Sequence, residues 1–192
     1  MLSALRELLD CPKRYWKRRQ FVANSEMGGK TQIGKCARCI NSSGNKTNIR
    51  IGSMCDIDAV LQTQSDGKII IGDYTTIRYD SFVGAIEKIE IGNHVIISNH
   101  VTIYDNNNHP TNSTKRKEMC ESGFTSDLWQ WKYSKHKSVK ICDNVWIGEK
   151  STILKGVTIG EGAIVACNSV VVHDVEANTI VAGNPACIVK RL

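Results

Sequence analysis

Five histidines and eight cysteines carry most of the chemistry open to this 192-residue chain. A neutral imidazole is suited to taking a proton near neutral pH, because its ordinary pKa lies there. The candidates are His94, His100, His109, His136 and His173. His94 and His100 stand six residues apart, whereas His109 heads a polar stretch in Asn106-Asn107-Asn108-His109-Pro110 and His136 lies inside it, where it is expected to be solvated. Cys36 and Cys39 form a C-x-x-C with no second pair at zinc-ribbon spacing, so they read as core and turn residues, not as a metal or redox site. Several other cysteines fall at regular apolar positions, where a small apolar side chain is wanted.

Those positions recur every six residues. Ile141, Ile147, Ile153, Ile159, Val165 and Val171 form one series. Val145, Ser151, Val157, Ala163, Ser169 and Val175 follow four residues behind and stay apolar or small. Upstream, Ile71, Ile77 and Val83 are in phase, then Ile91, Ile97 and Ile103; Ile51 with Ile57, and Ile33 with Cys39, give earlier units. Period six is neither helical nor simple strand alternation. It predicts a parallel β-helix in which three hexapeptides close one triangular coil. The branched residue points inward and stacks on its counterpart about 4.8 Å along the axis. Gly72-Asp73, Gly92-Asn93, Asp143-Asn144 and Glu161-Gly162 mark turns. On this reading His94 and His100 lie on successive faces of the prism.

The remaining features bound the function. Hydrophobic content of 41% and charged content of 23% suit a soluble globular chain, and 6% aromatics leave the core to Ile and Val. The net charge of +6 is uneven: residues 1–20 hold six basic side chains against Glu7 and Asp10. A nucleic-acid binder would spread its basic footprint differently, so no nucleic-acid partner is expected. Met1–Leu9 is no signal peptide and no apolar run approaches a membrane span, so a cytoplasmic location is expected. Leu2, Leu5 and Leu9 at helical spacing, with Asp10 and Pro12 near a second start, predict a helical cap over 1–26, ahead of a β-helix domain over 27–192. A solenoid needs its ends covered. The other use of this segment is peripheral contact with the inner face of an anionic membrane, through Lys13–Arg19 beside Trp16 and Phe21. The repeat stops after Ile103 and resumes at Ile141. The insert 104–140 carries Trp129, Trp131 and Tyr133, too aromatic for disorder, and reads as an arm over a site or a neighbouring subunit.

The segment Val101-Thr102-Ile103…Asn108-His109-Pro110 resembles the active-site stretch of galactoside and maltose O-acetyltransferases and of xenobiotic acetyltransferases. Asp143-Asn144-Val145-Trp146-Ile147-Gly148, Gly156-Val157-Thr158-Ile159-Gly160 and Val181-Ala182-Gly183-Asn184-Pro185-Ala186 resemble three further blocks of these enzymes, in order. The resemblance extends to polysaccharide O-acetyltransferases and covers roughly 70–192. It implies an all-β, left-handed parallel β-helix with a short N-terminal helical element and a long loop excursion. It also implies a homotrimer with sites between subunits, and acetyl-CoA as co-substrate with no metal. His109 becomes the catalytic base; His100, beside Val101-Thr102, is the alternative after the serine-acetyltransferase pattern. The backbone amide of Glu149 would serve the oxyanion, where the family usually has a small polar residue. Trp146, Gly148, Ala166, Cys167, His173, Lys190 and Arg191 would line the CoA path, with Val172-His173 standing where relatives carry threonine and lysine. Arg78, Asp80, Ser81, Asn108, Trp129 and Trp131 are the acceptor-binding candidates.

The reading that follows is acetyl transfer to a sugar hydroxyl of a surface polysaccharide, lipopolysaccharide or precursor. Transfer to an amine of an amino sugar or xenobiotic is the alternative on the same fold. A γ-type carbonic anhydrase with histidine-bound zinc is a third reading, opposed by the Trp-Ile-Gly and Ala-Gly-Asn-Pro blocks. A non-catalytic scaffold is a fourth, opposed by the intact Asn108-His109-Pro110.

Overall fold

The computed structural model describes residues 15–192. The period-six residues become three columns of inward side chains. Ile51, Ile71, Ile91, Ile141 and Ile159 pair in parallel register along the first sheet. Ile33, Ile57, Ile77, Ile97, Ile147, Val165 and Val181 do so along the second. Cys39, Leu61, Val83, Ile103, Ile153 and Val171 form the third. Every one of them is buried. The architecture is the left-handed parallel β-helix, and the trailing series fills the corners: Val145, Ser151, Val157, Ala163, Ser169 and Val175 are buried too.

The chain turns through three corners per coil. At the first, residues in the left-handed region stack from coil to coil: Met54, Tyr74, His94, Asn144, Gly162 and Asn178. At the second, Asp80, His100, Lys150 and Asn168 do the same. Asn and Gly tolerate this conformation. His94 and His100 therefore sit at different corners, each exposed, His94 stacked on Tyr74 at 5.0 Å and His100 edge-on to Tyr79 at 5.4 Å. The third corner carries the insert. Ile91 pairs with Ile141, fifty residues on, without any loss of register.

Cys39 lies in the core and Cys36 is exposed at a turn. Burial pushes the Cys39 thiol up to about 12, so it is no thiolate ligand or nucleophile.

Helix covers 15–24, and the expected helical positions Leu2 to Pro12 lie outside the described residues. Phe21 is fully buried at the open end of the prism, and Arg18 Nη1 donates to the Thr31 carbonyl at 2.6 Å. The helix thus covers the first coil. Its other side exposes Tyr15 and Trp16, with the Arg19 guanidinium over both rings. At the far end, Ala186–Arg191 runs antiparallel to Thr179–Gly183 and forms the last strand of the second sheet. Among the described residues no helix is long and apolar enough to cross a membrane.

Ile97 is fully buried between Ile77 and Ile147. Ile97→Ala is expected to cost about 2–5 kcal/mol, read as a lower urea midpoint at unchanged slope.

Candidate active site

Residues after Thr102–Tyr104 leave the third sheet and enter the insert. Asp105 holds the departure point. It is fully buried, and its carboxylate accepts from the backbone N–H of Ile86 at 3.0 Å and of Glu87 at 2.7 Å, and from Asn106 Nδ2 at 3.0 Å. The return strand is tied to the same place. The Asn107 N–H donates to the Lys135 carbonyl at 3.0 Å, and Asn106 bridges His136 in antiparallel fashion. Glu87 closes the base of the arm by accepting from Ser138 Oγ at 2.7 Å and pairing with His136 Nδ1 at 2.9 Å. Those contacts, His136 first, hold the Glu87 carboxyl below its ordinary value.

Within this frame His109 is exposed at the third corner. Its backbone N–H donates to the Asn107 carbonyl at 2.7 Å, and its ring and that of Trp129 make a T-shaped contact at 5.7 Å. Asn108, in the left-handed region at φ 61°, has its N–H on Asn106 Oδ1 at 2.8 Å. Burial, first of all, raises the Tyr104 pKa. Beyond His109, Arg116 of the helix Ser113–Glu121 donates to the carbonyls of Pro110 at 3.0 Å and Thr111 at 2.7 Å. That staple has no mark in the sequence beyond a basic residue among others.

Two acceptor candidates move out of that role. Trp131 is only 8% exposed; it makes T-shaped contacts with Phe82 and Tyr104, and its backbone N–H donates to Gln64 Oε1 at 2.8 Å. It anchors the arm to the coils, and Gly84 is required below it because a Cβ there would come within 2.8 Å of the Tyr104 ring. Ser81 is buried; its hydroxyl donates to the Ser98 carbonyl at 2.8 Å and accepts from the Val101 N–H at 3.0 Å, so it faces the interior. Asp80 occupies the second corner, and Arg78 beside it makes an exposed pair with Asp56 at 3.7 Å.

The CoA candidates gather at that second corner and on the second sheet. Trp146 is 49% exposed, in an outward row between Ile96 and Ile164. A Cβ on Gly148 would come within 2.6 Å of the Cys167 nitrogen, so only glycine lets these two turns stack. Ala166 spends its N–H on the Val181 carbonyl and its own carbonyl on Ser151 Oγ. Among the described residues the N–H groups of Glu149 and Cys167 have no acceptor. The contrast with the first corner explains why. There Asp73, Asn93 and Asp143 each accept from the N–H one coil back: Ser53 at 2.7 Å, Asp73 at 2.8 Å and Asn93 at 2.9 Å. The Asn93 contacts pull the Asp143 carboxyl down. Cys167 stands in the equivalent place above Glu149, and a thiol accepts weakly.

His173 falls elsewhere, while Lys190 and Arg191 end the second sheet, Lys190 in the same outward row as Trp146. His173 is exposed after Val170–Val171, at the opposite edge of the third sheet from Cys167. Lys190 pairs with Ile180 on the last strand. Arg191 is engaged by Glu176, Nη1 to Oε2 and Nη2 to Oε1, and each raises or lowers the other's pKa in favour of the charged pair. Both side chains of that pair are exposed. His109 itself is separated from Asp80, Glu149 and Cys167 by the width of the third sheet.

Residues 138–173 match the model of the bacterial transferase hexapeptide (six repeats) family. The chain is 33% identical over 126 residues to WbbJ of Escherichia coli, provisionally named a lipopolysaccharide biosynthesis O-acetyl transferase, over 65% of this chain and 61% of that one. It is 34% identical over 103 residues to galactoside O-acetyltransferase of Lactococcus lactis, over 54% and 42%. It superposes with a TM-score of 0.60 on a hexapeptide-repeat acetyltransferase of Vibrio cholerae complexed with acetyl coenzyme A, at 28% identity over 96% of this chain and 79% of the other. With AntD, an N-acyltransferase of Bacillus cereus in complex with dTDP and 3-hydroxybutyryl-CoA, it shares the fold at a TM-score of 0.71 and 24% identity, over 93% and 89%. The chain spans about three fifths of the length of the first curated relative it matches.

The base of the arm gives a pH prediction. A carboxyl whose folded pKa is depressed stabilises above its unfolded value, and that contribution is lost as pH falls through the lowered folded value. Hydrogen exchange at residues 135–138 is therefore expected to lose protection as pH falls through the lowered Glu87 value, faster than protection in the coils. In Glu87→Gln that acid-side step is absent and the arm is looser at neutral pH.

Proposed function

We propose that this chain, which belongs to the hexapeptide-repeat transferases, moves the acetyl group of acetyl-CoA to a sugar hydroxyl by general-base catalysis at His109. The observation that carries the reading is the mounting of His109. It is an exposed imidazole on a stapled turn, without a hydrogen bond to either ring nitrogen among the described residues. A ring nitrogen takes the hydroxyl proton as the oxygen attacks the thioester carbon; the C–S bond breaks and CoA leaves as the thiol once protonated. No acyl-enzyme is needed. The uncapped N–H of Glu149 suits the developing oxyanion, and that of Cys167 suits an amide carbonyl of the pantetheine arm. Trp146 would cover the thioester end. Lys190 would meet the nucleotide phosphates from the last strand, and His173 would do so only from the third corner.

The division of these groups between two corners supports a homotrimer. A prism with three faces closes under cyclic symmetry and can bring the third corner of one copy to the second corner of the next. Arg78 and Asp80 then lie on the acceptor side of the shared site, with Asn108 and Trp129 across from them. The acceptor belongs to a surface glycan or its precursor, following the lipopolysaccharide O-acetyl transferase and galactoside O-acetyltransferase names of the relatives. An amine acceptor is the second reading, favoured by short matches of 51–56% identity to N-acetyltransferases. The two separate in a thiol-release assay with sugars, amino sugars and nucleotide sugars. Metal analysis of the active protein disposes of the carbonic-anhydrase reading or revives it. By exposing Tyr15 and Trp16 beside Lys17 and Arg19, the N-terminal cap also suits contact with an anionic lipid surface. Co-sedimentation with phosphatidylglycerol vesicles but not with phosphatidylcholine vesicles is expected, and binding to neither ends that use.

His109→Asn is expected to lower the transfer rate by about 10²–10⁴-fold while acetyl-CoA titrates as in wild type, and His100→Ala to cost far less. Retention of more than about a tenth of the rate would move the base to His100. Light scattering is expected to give three times the chain mass; a monomer would remove the shared site.

A further inference from the structure

We infer that Phe124 is a specificity residue holding the second unit of an oligosaccharide acceptor; the inference rests on the acetyl-transfer reading above. Phe124 is 89% exposed, the highest exposure among the described large hydrophobic side chains. Leaving a phenyl ring in water forgoes the stabilisation that burial gives, yet this ring is held in place. Gly123, at φ +82°, turns the chain after the arm helix and accepts at its carbonyl from Ser126 N–H at 3.1 Å and from Trp129 Nε1 at 3.0 Å. The same indole meets Phe124 at 5.5 Å between ring centroids and His109 at 5.7 Å. Trp129 is therefore a hinge-pin: its indole N–H locks the turn that presents Phe124, and its ring makes a T-shaped contact with the candidate base.

The order of the three rings sets the order of the ligand. A sugar whose hydroxyl meets His109 within hydrogen-bond reach lies against the neighbouring Trp129. Phe124 is one ring further out and beyond the first sugar, so what covers it is the next unit of the chain. The C–H face of a pyranose is apolar and packs on an aromatic face, while its hydroxyls stay in water. Sites for such ligands combine apolar lining with a few placed polar groups. Between Phe124 and Trp129 in the chain, Asp127 supplies an exposed polar group; it accepts from the Tyr133 hydroxyl at 2.8 Å and pairs with Lys132 at 2.8 Å.

The test compares Phe124→Ala, Phe124→Tyr and wild type with a matched pair of acceptors. Lactose and methyl galactoside are the first pair, replaced by the corresponding pair if the thiol-release panel selects another sugar. In Phe124→Ala the KM for the disaccharide is expected to rise about three- to tenfold, the range of one lost ring contact. The rate at saturation, the KM for acetyl-CoA and the KM for the monosaccharide stay unchanged, the pattern of lost uniform binding. Phe124→Tyr restores the disaccharide KM. Equal rises for both acceptors, or no rise, overturn the inference. Loss of the trimer in Phe124→Ala also overturns it, by assigning the ring to a neighbouring copy. Saturation-transfer binding of the disaccharide needs no turnover. If wild type binds it through Phe124 yet releases no thiol, the acetyl-transfer reading fails and the subsite stands.

Discussion

The in-register stacking of inward branched side chains is the constraint on which the rest of this molecule depends. Each Ile or Val of a column lies over the same residue of the next coil, so every corner also lies over a corner. A repeat with only local order would scatter its turns. This one aligns them into three edges, and chemistry placed at one turn is continued, capped or left open by the turn above it.

What differs between edges is the side chain that follows the inward residue by two. At the first corner it is Asp73, Asn93 or Asp143, and each carboxylate or amide oxygen satisfies the N–H beneath it. On that edge the N–H groups of Ser53, Asp73 and Asn93 are satisfied by the turn above. At the second corner Cys167 fills this position, and the Glu149 N–H is left to the solvent or a ligand. An amide N–H with no acceptor in the turn above is open to a bound oxygen. The tight stacking of Gly148 under Cys167 keeps the two open amides close together.

The third corner is used differently. There the repeat tolerates an insertion of an entire arm because Ile91 and Ile141 pair as if it were absent. The arm is fixed by polar contacts at its root, through Asp105 and Glu87, and by one aromatic contact across the coils, through Trp131. Rigidity at root and middle leaves the short turn of His109 well placed without burying it. Tyr104 and Trp131 serve support, whereas Trp129 and Phe124 are the aromatic surface that remains available.

The columns, their period and the position of the interruption were legible in the sequence, because a six-residue repeat in a β-helix maps one residue type to one direction. Ile141 through Val171 are all buried as the spacing requires. The resemblance supplied His109 and the Trp146–Gly148 block, which period alone does not distinguish from other turns. Long-range packing decided the rest. Ser81 and Trp131 look like ligand residues in the sequence, yet one hydroxyl is consumed between Ser98 and Val101 and one indole is buried on Phe82 and Tyr104. Arg191 pairs with Glu176, fifteen residues away, and Phe124 gains significance only because the indole of Trp129 joins it to His109. Local periodicity specifies which way a side chain points; which of the outward ones remain free depends on partners that the fold alone brings within reach.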